Sequence, residues 1–266
     1  LRFSFTAHAK DIYTSNEEQL RDKIRLADMV VTCTEYNRRH LTRLARRGGT
    51  PIHRVYHGID LEQFTAPPAR HDPAPPYRIL TVARLTPKKG VATILRALAI
   101  LRDQGMDFTW TLVGDGELRD ELAAMIFDLD LQDRCRWSGT LPHDRVIREF
   151  SLADLFVLGC EIAPDGDRDG IPNVLVESLA MGVPAAATAV SALPEIIIHD
   201  KTGLLSPPGD SRKMAANMQR LLTDPPLRHR VSAAGQELVR SSFHNRRLIR
   251  DLAAIYCSSI PPLECL

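Results

Sequence analysis

From about residue 77 to residue 240 the chain alternates short apolar runs with amphipathic helical segments, and this alternation restricts its fold more than any other feature. Residues 77–83 read as a buried strand, and Val91, Ile94, Leu95, Leu98 and Leu101 form one apolar stripe on the helix that follows. Further strands are expected at 108–113, 134–137, 153–158, 183–187 and 203–205, with a helix over 143–150 and helices near 211–222, 226–240 and 243–257 after the last strand. A helix after each strand returns the chain so that the next strand lies parallel to the last. The expected class is α/β, a parallel sheet with helices on both faces.

Residues 1–63 repeat this grammar on a smaller scale, with strands at 1–6, 28–33 and 52–56 and helices at 17–26 and 35–46. Between the two regions, residues 64–76 hold five prolines among charged neighbours, a linker composition that marks a domain boundary. With 266 residues, 44% of them hydrophobic, the chain can bury two packed cores and is not a disordered one. Its 34 Lys and Arg balance 33 Asp and Glu, which gives no argument for nucleic acid or an acidic membrane surface, so any anion site is local. The five cysteines, Cys33, Cys135, Cys160, Cys257 and Cys265, are scattered and lack a CxxC pair. That argues against a disulfide framework and a zinc site, and makes a cytoplasmic setting the expectation. No apolar run approaches the ~20 residues of a membrane span. The first residue is Leu and no signal peptide is visible, so the chain is expected to begin inside a fold.

The chemistry gathers where strands end, the edge at which open α/β sheets bind ligands. In residues 161–184 a loop rich in Asp and Gly runs to Gly170, Pro172 stands where a first helical residue belongs, and Gly182-Val183-Pro184 supplies a stop. The amides at Asn173, Val174 and Leu175 then form a seat for an anion at a helix N-terminus. Asp169 lies just before this seat and Glu177 about a turn and a half beyond it. Two carboxylates would repel a phosphate they touched, so they are expected to face hydroxyl groups on either side. A diphosphate with a hydroxyl-bearing ring at each end, a nucleotide-sugar, fits that order. Taken alone, the loop reads equally as ordinary capping and solvation, and Asp165, Asp167 and Asp169 as a set for a divalent ion. His8 has a capping or surface reading beside a functional one. Arg84 and Lys89, in the loop after 77–83, are either solvated charges or phosphate ligands. Gly114 and Gly116 mark either a tight turn or a close approach to ligand.

Together these segments resemble the retaining glycosyltransferases of the family 4 type, which have two facing Rossmann-like domains, the GT-B fold. The resemblance is carried by Arg84-Leu-x-x-x-Lys89-Gly, Gly114-Asp-Gly116, and Asp169 with seven residues between it and Glu177, with Thr6-Ala-His8-x-x-Asp11 and His57-Gly-Ile-Asp60 upstream. Residues 191–197 are similar to the family's glycine-and-glutamate segment, with Ser191 in a glycine position. Asp169 stands where the family usually has Glu, and His57, read here as structural, where it usually has Asn.

The resemblance implies that Glu177 binds the donor ribose, that Asp169 binds hydroxyls of the donor sugar, and that Arg84 and Lys89 neutralise the diphosphate. It implies that His8 orients the sugar or the leaving phosphate, that Gly114 and Gly116 wall the donor site, and that backbone atoms at 138–141, ending at Leu141, read the base. Gly170, Pro172, Asn173, Val174 and Leu175 become the loop and helix start on which the donor sits. It further implies a complete nucleotide-sugar domain over 77–241, a partial acceptor-side domain over 1–63, and a final helix over 242–266 that crosses back to it. The implied activity moves a sugar from a nucleoside diphosphate sugar to a sugar, lipid-linked or other hydroxyl acceptor, in polysaccharide or glycolipid biosynthesis. No metal or cofactor is implied. Peripheral membrane contact would come through N-terminal strands this chain lacks, and with them missing it is expected to bind nucleotide-sugar but transfer poorly. A nucleotide-sugar epimerase of similar fold and a non-catalytic nucleotide-sugar-binding fragment remain open beside this reading.

Overall fold

A computed structural model describes residues 3–45, 49–64 and 72–259. The first two residues of the expected opening strand, the helix end at Arg46, most of the expected linker (65–71), and residues 260–266 with Cys265 lie outside the described residues.

Two parallel sheets organise the chain. In the first, β1 (Ser4–Ala7) leads through α1 (Ala9–Tyr13) and α2 (Glu17–Leu26) to β2 (Met29–Thr32), and α3 (Glu35–Ala45) leads on to β3 (Ile52–Arg54). The strands lie in the order β1-β2-β3. Ala7 is in register with Thr32, whose hydroxyl donates to the Ala7 carbonyl at 2.7 Å.

The second sheet is built from β4 (Tyr77–Val82), β5 (Phe108–Val113), β6 (Cys135–Trp137), β7 (Leu155–Leu158), β8 (Ala185–Thr188) and β9 (Leu204–Ser206). Between and after them come α4 (Val91–Asp103), α5 (Arg119–Asp128), α6 (His143–Leu152), α7 (Asn173–Ala180), α8 (Ser211–Thr223), α9 (Pro225–Ser242) and α10 (Asn245–Ser259). Across the sheet the order is β6-β5-β4-β7-β8-β9, with every pair parallel. The chain therefore grows outward from β4 to one edge and returns to start again at β7 beside it. Where strand order reverses, the loops leaving neighbouring strands diverge and open a crevice at their C-terminal ends.

Each face of this sheet has its own apolar core. Ile94, Leu98, Trp110, Leu112, Met214 and Leu221 fill one, while Phe150, Phe156, Leu175, Leu179 and Val239 fill the other. Full burial of one such side chain contributes about 1.5–3 kcal/mol. The single polar atom of buried Trp110 is satisfied, since its indole N–H donates to the Thr81 hydroxyl at 3.0 Å and that hydroxyl donates to the Val157 carbonyl at 3.0 Å. After α9 the chain returns to the first sheet. Ile59 N donates to Phe243 O at 2.9 Å, Asn245 N donates to Ile59 O at 3.1 Å, and the Tyr256 hydroxyl lies 3.5 Å from that of Ser4.

Several local expectations are corrected. His8 is the N-cap of α1, a five-residue helix too short to show apolar periodicity. The segment around 191–197 holds a helical turn of the 3₁₀ kind, Leu193–Glu195, and a second 3₁₀ turn, Pro87–Lys89, precedes α4. Pro172 is not the first helical residue: its ψ of 131° is extended, so it caps α7 and the helix begins at Asn173. Among the described residues no helix is long and apolar enough to cross a membrane.

Candidate active site

The crevice between β4 and β7 is lined from both sides by charge. From the β4 side, the turn Pro87–Lys89 folds Lys88 and Lys89 inward until each is nearly buried. From the β7 side, the loop before α7 brings Asp167 and Asp169 to meet them. Lys89 Nζ lies 2.5 Å from Asp169 Oδ2, and Lys88 Nζ lies 2.9 Å from Asp167 Oδ2 and 3.5 Å from Asp169 Oδ1. The Cys160 thiol donates to Asp169 Oδ2 at 3.5 Å. Burial works against the charge on Lys88, but the Asp167 hydrogen bond and the two nearby carboxylates carry its pKa upward. Arg84 stays exposed at the end of β4 and has no side-chain partner among the described residues. Two lysines thus neutralise two carboxylates, and the charge of exposed Arg84 at the end of β4 is left uncompensated.

Sequence reasoning separated Lys89 and Asp169, giving one to the diphosphate and the other to the sugar; the structure brings them into direct contact. It also brings into the cluster Lys88, which the motif spacing had passed over, and Asp167, which had been read only within a set for a divalent ion. The adjacent Lys-Lys pair was the available signal for Lys88. With both lysines on these carboxylates, the described residues contain no group of three acidic, His or Cys side chains placed to hold a metal ion.

The start of α7 carries no side-chain cap. Asn173 N and Val174 N have no partner among the described residues, but Leu175 N already donates to Pro172 O at 3.0 Å. The expected three-amide seat is therefore reduced to two amides, because the first turn tightens behind Pro172. Gly170 precedes them, where a side chain would meet Thr34 Cγ2 at 3.3 Å, so the loop presses against the first sheet's edge. Glu177 sits a turn inside, only 8% exposed, with His143 Nε2 3.6 Å from its Oε1. Burial raises the Glu177 pKa, and His143, which opens α6, opposes the rise. His143 too was missed, because it was read only as the start of the helix expected over 143–150. Leu141 itself is half-buried and packs on the core beside the crevice.

Gly114 answers mainly to the chain itself. With φ at +133°, a Cβ there would lie 1.9 Å from the Ala83 carbonyl oxygen, so the loops after β4 and β5 touch backbone to backbone. Gly116 is similarly pressed on Leu85.

His8 is not joined to this cluster. Its Nε2 lies 3.1 Å from His57 Nε2, its Nδ1 3.5 Å from Asp11 Oδ2, and its backbone N–H donates to Asp11 Oδ2 at 3.1 Å. His57 is thus the ring partner of His8. Burial first, then the His8 charge, lower the His57 pKa. A cavity of about 690 Å³ lies between α3 and the turn at 191–195, with Arg38, Arg39 and Glu195 among its walls.

Solved structures share this arrangement of sheets. The chain superposes on sucrose-phosphate synthase from Thermosynechococcus elongatus with a TM-score of 0.81 at 23% identity, over 97% of this chain and 68% of that one. It superposes on Anabaena HepE in complex with UDP and glucose with a TM-score of 0.78 at 21% identity, over 97% of this chain and 72% of that one. The fold is that of the GT-B glycosyltransferases. The chain belongs to the family glycosyl transferases group 1, whose family model matches residues 65–238. Among similar sequences, the amylovoran biosynthesis glycosyltransferase AmsK of Erwinia amylovora is 38% identical over 200 residues, 74% of this chain and 48% of that protein. The lipopolysaccharide core biosynthesis glycosyltransferase LpsD of Rhizobium meliloti is 32% identical over 187 residues, 69% of this chain and 51% of that protein. The chain spans about half the length of these curated relatives.

Proposed function

We propose that this chain binds a nucleoside diphosphate sugar in the β4–β7 crevice, and that the whole protein transfers the sugar, with retention, to a hydroxyl acceptor in polysaccharide or glycolipid biosynthesis. The observation that carries the reading is the set of groups at the strand-order reversal: free Arg84, the Lys88/Lys89 pair, two unpartnered amides opening α7, and Asp169 and Glu177 on either side. The guanidinium of Arg84 grips phosphate oxygens as a planar fork, and Lys89 adds a point charge. As diphosphate enters, Lys89 exchanges its carboxylate partner for phosphate, and Asp169 is released to accept hydrogen bonds from sugar hydroxyls. Glu177 accepts from the ribose.

In the transfer step the bond between the anomeric carbon and the phosphate oxygen breaks, and its electron pair leaves on the diphosphate, where Arg84 and Lys89 stabilise the growing charge. The acceptor oxygen bonds to the anomeric carbon from the same face, and its proton passes to the leaving phosphate oxygen. His8, held by His57 and Asp11, lines the opposite wall and orients the sugar. The reading draws further support from the names of AmsK and LpsD, both biosynthetic glycosyltransferases, and from HepE, solved with UDP and glucose.

Calorimetric titration with UDP, GDP and their glucose and mannose conjugates tests it. Binding that is stronger for a sugar conjugate than for the bare diphosphate, and lost in Lys89→Met, is the expected result. Absence of binding by every nucleotide would overturn the assignment.

A further inference from the structure

The β4–β7 crevice meets the first sheet where Gly170 lies against Thr34, and one carboxylate fastens the two sheets together beside it. Glu195 Oε2 accepts from Glu35 N at 2.9 Å and from the Tyr56 hydroxyl at 3.0 Å, while its Oε1 accepts from Tyr36 N at 2.7 Å. The donor amides open α3 on the first sheet, and Glu195 ends the 3₁₀ turn after β8 on the second. Thr34 Oγ1 takes the next amide, Asn37 N, at 3.0 Å. A helix N-terminus leaves such amides unpaired and favours negative charge, so Glu195 on the other sheet takes the two amides that the Thr34 cap does not reach. The local charges reinforce the arrangement. Both oxygens of Glu35 are taken by Arg38 at 2.7 Å, and Arg39 adds a bond at 3.0 Å, which leaves the helix start clear for Glu195.

What this contact controls follows from the chain path. β2 runs through Thr34 into α3, and it is β2 that pairs with β1 in register up to Ala7, the residue before His8. On the other wall, Gly170, next to Asp169, packs on Thr34. We propose that Glu195 is an interdomain positioning residue, a clasp that fixes the spacing between the His8 wall and the Asp169 wall. Its bearing on transfer rests on the donor-site reading given above. Ser191, where φ is +50°, starts the turn that aims Glu195 across the crevice.

The test uses the 266-residue protein with two variants. Glu195→Ala removes the clasp. Tyr56→Phe removes one of its three bonds and keeps the ring stacked on Phe243 at 4.7 Å, so it folds even where the first variant does not. Hydrogen exchange at the Glu35 and Tyr36 amides is expected to accelerate at least tenfold in Glu195→Ala, and the Tyr36 amide to stay protected in Tyr56→Phe. Spin labels on exposed Cys257 and on Phe127→Cys, in a Cys265→Ser background, are expected to give a narrow distance distribution that broadens in Glu195→Ala. With a donor and acceptor that turn over, kcat should fall about tenfold to a hundredfold while donor KM changes less than threefold, since a reacting group displaced by an ångström loses about that much rate. Unchanged amide exchange, an unchanged distance distribution, or a loss confined to donor KM would overturn the proposal. Failure of the parent protein to bind any nucleotide-sugar, with the amides still released in Glu195→Ala, would count against the donor reading and leave the clasp standing.

Discussion

Replacing Asp169 by Asn should have opposite effects on two ligands, because the carboxylate serves Lys89 in the empty site and the sugar in the filled one. At 2.5 Å the Lys89–Asp169 attraction is gross, about 7 kcal/mol at an effective dielectric of about 20, and desolvation offsets most of it. Removing one member of a buried pair typically costs about 3–5 kcal/mol. Lys89 borders an open crevice, so the lower end applies, and at about 2–4 °C per kcal/mol the ligand-free variant should melt roughly 6–12 °C lower. The freed lysine no longer has to leave a carboxylate, so UDP should bind roughly three- to tenfold tighter. The preference for UDP-glucose over UDP should meanwhile fall tenfold or more, the worth of a hydrogen bond to a charged group, about 1.5–3 kcal/mol. Calorimetry with both ligands and thermal unfolding of the apo protein read all three quantities. Equal weakening of UDP and UDP-glucose would show that Asp169 holds Lys89 in place for phosphate rather than competing with it, and the partner exchange would be refuted.

Glu177, whose pKa burial raises, should show its shift in both stability and binding. A raised acid stabilises the fold below the ordinary glutamate pKa of about 4.3 and loses that contribution as pH climbs through the raised value. Glu177→Gln should therefore melt higher than the parent at pH 7 yet bind nucleoside diphosphate about tenfold more weakly. In the parent, nucleotide affinity should drop on acidification at a higher pH than an exposed glutamate would give, and titrations of Glu177→Gln across the same range should remove that dependence. Gly114→Ala forces a Cβ to 1.9 Å from the Ala83 oxygen at a φ of +133°, so chemical denaturation should report a loss of several kcal/mol, in the class of strained-backbone and overpacking substitutions. EDTA should leave donor titrations unchanged, because Lys88 and Lys89 already occupy the carboxylates of Asp167 and Asp169; loss of binding with recovery by magnesium or manganese would contradict that.

The second sheet was legible because most of its strands are largely apolar runs and helices such as α4 carry an apolar stripe. β4 and β5, expected at 77–83 and 108–113, appear at Tyr77–Val82 and Phe108–Val113. Strand order was not legible, since alternation says that strands are parallel but not on which side of β4 the chain resumes. The individual charges of the site were visible as motif residues; their pairing was not. Nothing in the spacing of Lys89 and Asp169, 80 positions apart, announces a contact at 2.5 Å. The same holds for His57, read as structural and found against His8, and for Glu195, whose partners lie 139 to 160 positions away. Such pairings are set by how two sheets face each other, which periodicity within either sheet does not encode.

The backbone passes from one sheet to the other twice, before β4 and after α9, and at Ile59 the two passages are stitched by a pair of main-chain hydrogen bonds to Phe243 and Asn245. Two crossings sewn at one point share a pivot: for the halves to slide apart there, both backbone hydrogen bonds must break. Gly58 sits in that joint with Asn245 Cα 2.6 Å from where a methyl would be, so even alanine there would jam the pivot.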